Sequence, residues 1–195
     1  MGAGLVDPPP RIDWVPAEDL ADEAPGRIGM TVLPGKRGPS VRYPGRIYRA
    51  DPDTDLAALR AAGIGRLILL VEDHELARWS DPALGARAAS HGIEVDRHPI
   101  PDGSPPASAA AMDAILVSIA DGRVAGDVGV ACMGGVGRTG TVAACALVAA
   151  GWDAVAAIAR IRELRHPTAV ETPAQERFVQ RYWSQRRARA RKVAP

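Results

Sequence analysis

The stretch Val128-Gly-Val-Ala-Cys132-Met-Gly-Gly-Val-Gly-Arg138-Thr-Gly-Thr-Val142 decides how the rest of the chain is read. Its short apolar run, Val128 to Ala131, has the composition of a buried strand. A glycine-rich loop follows, and from Thr139 an alanine- and valine-rich run reads as a buried helix. Cys132 therefore stands at the end of a strand and Arg138 at the start of a helix. Gly134, Gly135 and Gly137 open backbone conformations that other residues resist, so successive N–H groups can turn inward as an anion-binding nest backed by the helix N-terminus. A thiol on the floor of such a nest ionises readily, because helix N-termini and nearby cations bring cysteine from roughly 8.5 into the range of about 3.5–7.5. That supplies a nucleophile at neutral pH, and the planar fork of Arg138 matches two phosphate oxygens.

Cys132, Gly135, Arg138 and Thr139 stand in the pattern Cys-x-x-Gly-x-x-Arg-Ser/Thr, which resembles the signature loop of the cysteine-dependent protein tyrosine and dual-specificity phosphatases. In that family the residue before the cysteine is usually histidine, and here it is Ala131. Ile12-Asp-Trp-Val, Leu33-Pro-Gly-Lys, His98-Pro-Ile-Pro-Asp-Gly and Ala169-Val-Glu-Thr-Pro-Ala-Gln175 extend the resemblance over nearly the whole chain, in the order and spacing of the cyclin-dependent-kinase-associated phosphatase group.

The loop Pro99-Ile-Pro-Asp-Gly-Ser-Pro-Pro106 brackets Asp102 with Gly103 and four prolines. Thiolate attack on a phosphoester needs an acid for the leaving alkoxide, and a carboxyl on a loop that closes over the substrate can provide it. Asp102 lies 30 residues before Cys132, a separation similar to that of acid and nucleophile in dual-specificity phosphatases. A plain Asp-Gly turn is the other reading. Gln175 likewise reads two ways: as the partner of Thr172 in a capping box, or as the glutamine that orients the hydrolytic water in related phosphatases.

The resemblance implies an α/β single-domain phosphatase fold: a central, mostly parallel sheet flanked by helices, with the catalytic loop between a strand and a helix N-terminus. It implies a phosphomonoester hydrolase, a protein phosphatase of tyrosine or dual-specificity type, working through a cysteinyl-phosphate. Cys132 is then the nucleophile. Arg138 and the loop residues Met133, Gly134, Gly135, Val136 and Gly137 bind phosphate, Asp102 serves as acid and then base, and Thr139 stabilises the departing thiolate. No metal and no cofactor are required.

Three other readings are open at this level. A phosphate- or phosphopeptide-binding protein with weakened chemistry is motivated by Ala131. A dinucleotide site is suggested by Gly135-Val-Gly137-Arg-Thr-Gly140, although residues 153–165 look helical where a second strand is needed. A tight turn around a buried thiol is the structural alternative. A Walker loop does not fit, since Arg138 takes the lysine position and Cys132 that of the first glycine.

At 195 residues and 47% hydrophobic the chain can build one sizeable core. Its 24 basic and 23 acidic residues argue against bulk nucleic-acid binding. Cys132 and Cys145 are the only cysteines. They fall about two helical turns apart, roughly 10 Å or more, so a disulfide is not expected and a reducing compartment is. The N-terminus lacks a basic start with an apolar core, and position 6 is not Ser or Thr, so neither a secretory signal nor a myristoyl site is expected. The apolar run Gly140–Ala159 is broken by Gly151-Trp-Asp153, which suggests two buried helices rather than a membrane span. The expected protein is cytoplasmic, without membrane or nucleic-acid partners, and monomeric by default.

Along the chain, residues 1–27 read as a loosely ordered segment around a short edge strand Ile12–Val15, residues 28–187 as the catalytic domain and 188–195 as a basic tail. Short strands joined by loops are expected over 30–50, a helix over Thr54–Ala62, a central strand over Arg66–Val71, a helix over 82–91 and a strand over Ile93–His98. Helices over 107–120, from Asp153 to Leu164 and from Thr172 onward complete the pattern, and such alternation is α/β. Glu72-Asp-His-Glu75 reads as helix capping rather than a metal cluster. Phosphoinositide phosphatases of the superfamily that the loop resembles tend to carry lysines in it, whereas Met133, Gly134 and Val136 are neutral, so the resemblance implies a phosphoprotein or small phosphomonoester substrate. Tyrosine-specific members of that superfamily have a longer chain with a dedicated recognition loop, and the lack of a clear counterpart here implies a shallow, dual-specificity pocket. Ala131 cannot brace the loop as histidine would. Cys132 is therefore expected to titrate above the family's usual range and below a free thiol, and thiol titration should show a downward shift in Ala131→His.

Overall fold

The computed structural model describes residues 6–20, 24–40 and 43–193. The apolar run before the cysteine forms strand β7, Asp127–Cys132, the middle strand of a five-stranded sheet. Its neighbours are β2 (Ile28–Val32) and β5 (Ile64–Leu69), both parallel to it. β6 (Glu94–Arg97) extends the sheet in parallel beyond β5, and β1 (Asp13–Val15) closes the other edge antiparallel to β2. The order β1-β2-β7-β5-β6 puts the carboxyl ends of four parallel strands on one side, the place where open α/β sheets bind ligands.

Both faces are covered. α1 (Pro52–Ala61) and α3 (Leu84–Ser90) pack together over β5 and β6. α4 (Ala109–Ala125), α5 (Gly137–Ala149), α6 (Ala154–Leu164) and α7 (Pro173–Val193) form the other layer. Right-handed crossovers require this split, because the chain moves outward from β5 to β6 and then back to β7. α5 runs between the sheet and its fellow helices with every residue from Gly137 to Val148 buried, so its Ala and Val content reflects enclosure on all sides.

Most expected elements are present, with instructive shifts. α1 starts two residues early, because the Asp51 side chain caps Thr54 N at 2.8 Å and Pro52 takes the first helical position. α4 runs five residues further than expected. Gly122 is tolerated inside it because a Cβ there would fall 2.6 Å from Val128, so glycine lets the helix approach the sheet. α5 is followed by α6 through Gly151, at φ +104, and not by a strand. The dinucleotide reading therefore fails on topology. Among the described residues no helix is long and apolar enough to cross a membrane.

The first 27 residues are not a loose segment where they are described. Val15 is fully buried, Trp152 Nε1 donates to the Asp19 carbonyl at 2.9 Å, and Arg160 pairs with Asp19 at 2.8 Å. Residues 1–5 and 21–23 lie outside the described set. At the other end, α7 continues to Val193, so no break separates a tail at residue 188.

A short hairpin, β3 (Arg37–Pro39) with β4 (Ile47–Arg49), stands apart from the main sheet. Its approach is held by Asp55 on α1, a carboxyl only 1% exposed whose Oδ2 accepts Gly35 N–H at 2.8 Å. Oδ1 has no partner among the described residues. Burial pushes this carboxyl up to about 6, against the opposing pull of the Gly35 bond. A proton is then bound more tightly in the folded state than in the unfolded one, near 3.8. The associated stability is full below that lower value and is lost as pH rises through about 6. Asp55→Asn abolishes this dependence. Its stability relative to wild type should rise by about 2 kcal/mol between acid and neutral pH, after allowance for residual solvent screening, as read from urea unfolding at constant ionic strength.

Candidate active site

Cys132 is the last residue of β7, paired with Val32 of β2, and its side chain is buried at the base of the loop that leads into α5. Burial by itself would push the thiol up. The Arg138 guanidinium, the Thr139 hydroxyl and N–H, and the Gly134 N–H outweigh it, and the sulfur titrates below an ordinary thiol. Thr139 Oγ1 is buried and finds no other partner among the described residues, so its proton is available to the sulfur. Cys145, further along α5, has no such support, and burial drives its thiol up. One helix thus separates a reactive sulfur from an inert one.

Arg138 lies in the first turn of α5 with its side chain 1% exposed. Its Nη1 and Nη2 donate to the two carboxylate oxygens of Glu75 at 2.6 and 2.8 Å, and Nη1 also donates to Ile100 O at 2.9 Å. Asp102 Oδ1 approaches Nη2 at 2.8 Å from a side chain that is 78% exposed. Burial lowers the guanidinium's hold on its proton, but Glu75, the Cys132 thiolate and Asp102 raise it further, so the charge is secure.

Glu75 comes from α2 (Asp73–Trp79). It has two tasks, since the oxygen that receives Nη1 also accepts Glu72 N–H at 2.9 Å and completes a capping box. Capping is therefore the right reading of Glu72–Glu75, but it omits the ion pair. Burial would raise the carboxyl, and Arg138 with the Glu72 N–H pulls it below the usual carboxylate range.

The loop carrying Asp102 is fixed at both ends. Ile100 N donates to Leu70 O at 3.0 Å, and Ser104 N to Pro101 O at 3.0 Å closes a turn around Gly103, at φ +70. Thr172 Oγ1 donates to Gly103 O at 2.9 Å, and Gln175 Nε2 to Ser104 O at 3.2 Å. Gln175 also caps α7: its Oε1 accepts Thr172 N–H at 3.2 Å, and its own N–H donates to Thr172 Oγ1 at 3.2 Å. The capping box is present, and most of the amide's capacity is already committed.

Met133, Gly134, Val136, Gly137 and Arg138 line a cavity of about 620 Å³ together with Cys132, Asp102 and Gln175. Gly135 stands behind it at φ +64, where a Cβ would fall 2.3 Å from Thr31 O. Close by, Val170 holds φ +58, which is strained for a β-branched residue, and its N–H reaches Val136 O at 3.4 Å.

Residues 43–179 match the family described as "PTP-SAK: Swiss Army Knife protein, DSP-PTPase phosphatase domain". The chain belongs to the dual-specificity and protein tyrosine phosphatases. This phosphatase is 28% identical to cyclin-dependent kinase inhibitor 3 of Sus scrofa over 180 residues, covering 89% of the chain and 79% of that protein. The Rattus norvegicus protein of the same name is 26% identical with the same coverage. Among solved structures, kinase associated phosphatase with its catalytic cysteine replaced by serine superposes with a TM-score of 0.75 at 24% identity, covering 92% of this chain and 97% of that one. Tk-PTP in its active form gives 0.64 at 29% identity, covering 82% and 93%.

The phosphatase pocket also has walls that the sequence reading missed. Tyr48 of β4 and Trp79 of α2 line it on the hairpin side, with Lys36 Nζ 4.0 Å from the centre of the Tyr48 ring. Glu171 is a second omission: a Cβ on Gly137 would lie 2.8 Å from its Oε2, so this carboxylate sits against the start of α5. Glu75 is the largest omission. Glu75→Ala should cost about 3–5 kcal/mol of stability by leaving a buried guanidinium unpaired. Glu75→Gln should cost less because it keeps an acceptor, and both should lower kcat/KM toward an aryl phosphate by about tenfold or more. Unfolding curves and steady-state kinetics on the same preparations check both parts.

Proposed function

We propose that this phosphatase hydrolyses phosphoprotein or small phosphomonoester substrates through a cysteinyl-phosphate on Cys132. The observation that carries the reading is the Arg138 guanidinium, locked by both oxygens of Glu75 beside a sulfur held below its ordinary value, with Asp102 2.8 Å away. In the first step the Sγ lone pair forms a bond to phosphorus while the bond to the leaving oxygen breaks. The protonated Asp102 carboxyl gives its proton to that oxygen, and Arg138 with the loop N–H groups stabilises the equatorial oxygens.

In the second step water attacks phosphorus, Asp102 takes the water's proton, and the phosphorus–sulfur bond breaks. The Thr139 hydroxyl supports the thiolate as it leaves. Gln175 lines the cavity and keeps one amide hydrogen beyond its bond to Ser104, so it can assist in holding the water. None of these roles calls for a metal. A reducing compartment such as the cytoplasm suits a chemistry that depends on a free thiolate. A kinase-related phosphoprotein is one candidate substrate, motivated by the names of the relatives.

General acid catalysis has a signature in the leaving group. Asp102→Asn should lower kcat about 10²–10⁴-fold for an alkyl phosphate and much less for a nitrophenyl phosphate, whose leaving group needs little help. Cys132→Ser should abolish turnover of both while still binding orthovanadate. Wild-type protein that binds a phosphopeptide but shows no burst of product under reducing conditions would instead support the binding-protein reading motivated by Ala131.

A further inference from the structure

The phosphate loop has an internal weakness. Gly134 and Gly135 are adjacent, and a Cβ on Gly134 would meet nothing within 4 Å, so no packing at that position fixes its conformation. Peptide planes flanked by glycine rotate easily. A flipped plane would aim a carbonyl oxygen at the phosphoryl group and withdraw an N–H. Ala131 offers no side-chain hydrogen bond to prevent this.

Arg165, the residue that follows α6 and a member of the pocket wall, meets that weakness at the loop carbonyls. Its Nε donates to Gly135 O at 2.8 Å and its Nη2 reaches Gly134 O at 3.4 Å. Its Nη1 is anchored by Asp13 Oδ2 at 2.6 Å, with the two side chains only 10% and 14% exposed. Because the peptide is planar and trans, a carbonyl held outward fixes the next N–H in the opposite direction. Holding Gly134 O outward turns the Gly135 N–H inward, and holding Gly135 O outward does the same for Val136.

We infer that Arg165, locked by Asp13 of the edge strand, is the positioning residue that keeps two N–H groups of the phosphate loop aimed at the oxyanion, in place of the bracing that histidine at position 131 would give. It aims the loop through its hydrogen bonds to the two carbonyls, while Asp13 pairs with it and with Arg11 at 2.6 Å on the other side, so the three groups together keep a single positive charge. The N-terminal strand is thereby part of the catalytic apparatus.

The inference rests on the phosphatase reading of this pocket, so wild-type turnover of para-nitrophenyl phosphate and its inhibition by orthovanadate are measured first. Arg165→Met keeps the apolar stem and removes the donors. It should weaken vanadate inhibition and lower kcat/KM on the order of tenfold to a hundredfold. It should also move the pH profile of Cys132 alkylation by iodoacetamide upward, although residue 165 has no bond to the sulfur. Arg165→Lys should recover part of both effects, and Asp13→Asn should fall between wild type and Arg165→Met. Wild-type vanadate affinity with a wild-type alkylation profile in folded Arg165→Met would overturn the inference and leave the phosphatase reading intact. If Arg165→Met does not fold, Asp13→Asn decides by the same two readouts. If wild type is inert toward the aryl phosphate, the proposed function falls, and the alkylation profiles still decide the clamp.

Discussion

A guanidinium with 1% of its side chain exposed is the constraint on which this molecule depends. Removing such a charge from water costs several kcal/mol unless partners replace the lost hydration. Arg138 obtains them from three directions: the Glu75 carboxylate on α2, the Ile100 carbonyl after β6, and Asp102 on the loop beyond. The ends of β5, β6 and β7 must therefore be in register, because each delivers one part of the cage. The sheet's parallel order supplies that register. Glu75 in turn depends on the start of α2, since its own oxygen also caps that helix.

What the sequence disclosed follows from the range of each interaction. Cys132, the glycines and Arg138 lie within seven positions, and the strand–loop–helix geometry that relates them is local. A reader of the residues can reconstruct it from glycine conformations and the helix dipole. Asp102 was legible for a similar reason, as a carboxyl isolated among prolines and glycine. Glu75 was not, because its partner is 63 residues away, and no periodicity marks a seven-residue helix as the source of a buried ion pair. Its capping role was visible and concealed the larger one. Arg165 was missed in the same way, because its partners Asp13 and Gly135 lie 152 and 30 residues away. Tyr48 and Trp79 belong to a hairpin and a helix end that only tertiary packing brings to one wall. The register shifts in α1 and α4 have local causes, a proline in the first turn and a glycine facing the sheet, that outweighed simple apolar spacing.

Electrostatic order within the pocket runs from the fixed to the movable. Glu75 is buried, doubly bonded to Arg138 and held in a cap, so it cannot leave without uncovering a charge. Arg165 and Asp13 are nearly as enclosed, and Arg165 donates to the loop carbonyls of Gly135 and Gly134. Asp102 differs, as most of its side chain faces solvent and its loop turns on a glycine at positive φ. A carboxylate in that position can exchange its partner for water at little cost. The fold thus places enclosed anions where the cation must be oriented and an exposed one at the edge of the pocket.

The donor count of Arg138 sets how a phosphoryl group can meet it. A guanidinium has five N–H groups. Glu75 and Ile100 engage three of them from the interior, and Asp102 Oδ1 forms an ion pair 2.8 Å from Nη2. A phosphoryl group that binds in the bidentate manner needs two parallel donors on one edge. Nε–H and the second N–H of Nη2 are left for such a contact, and Asp102 Oδ1 stands 2.8 Å from Nη2. A carboxylate there competes with a phosphoryl group for Arg138, and its loop is tethered through Gly103 and Ser104 to Thr172 and Gln175.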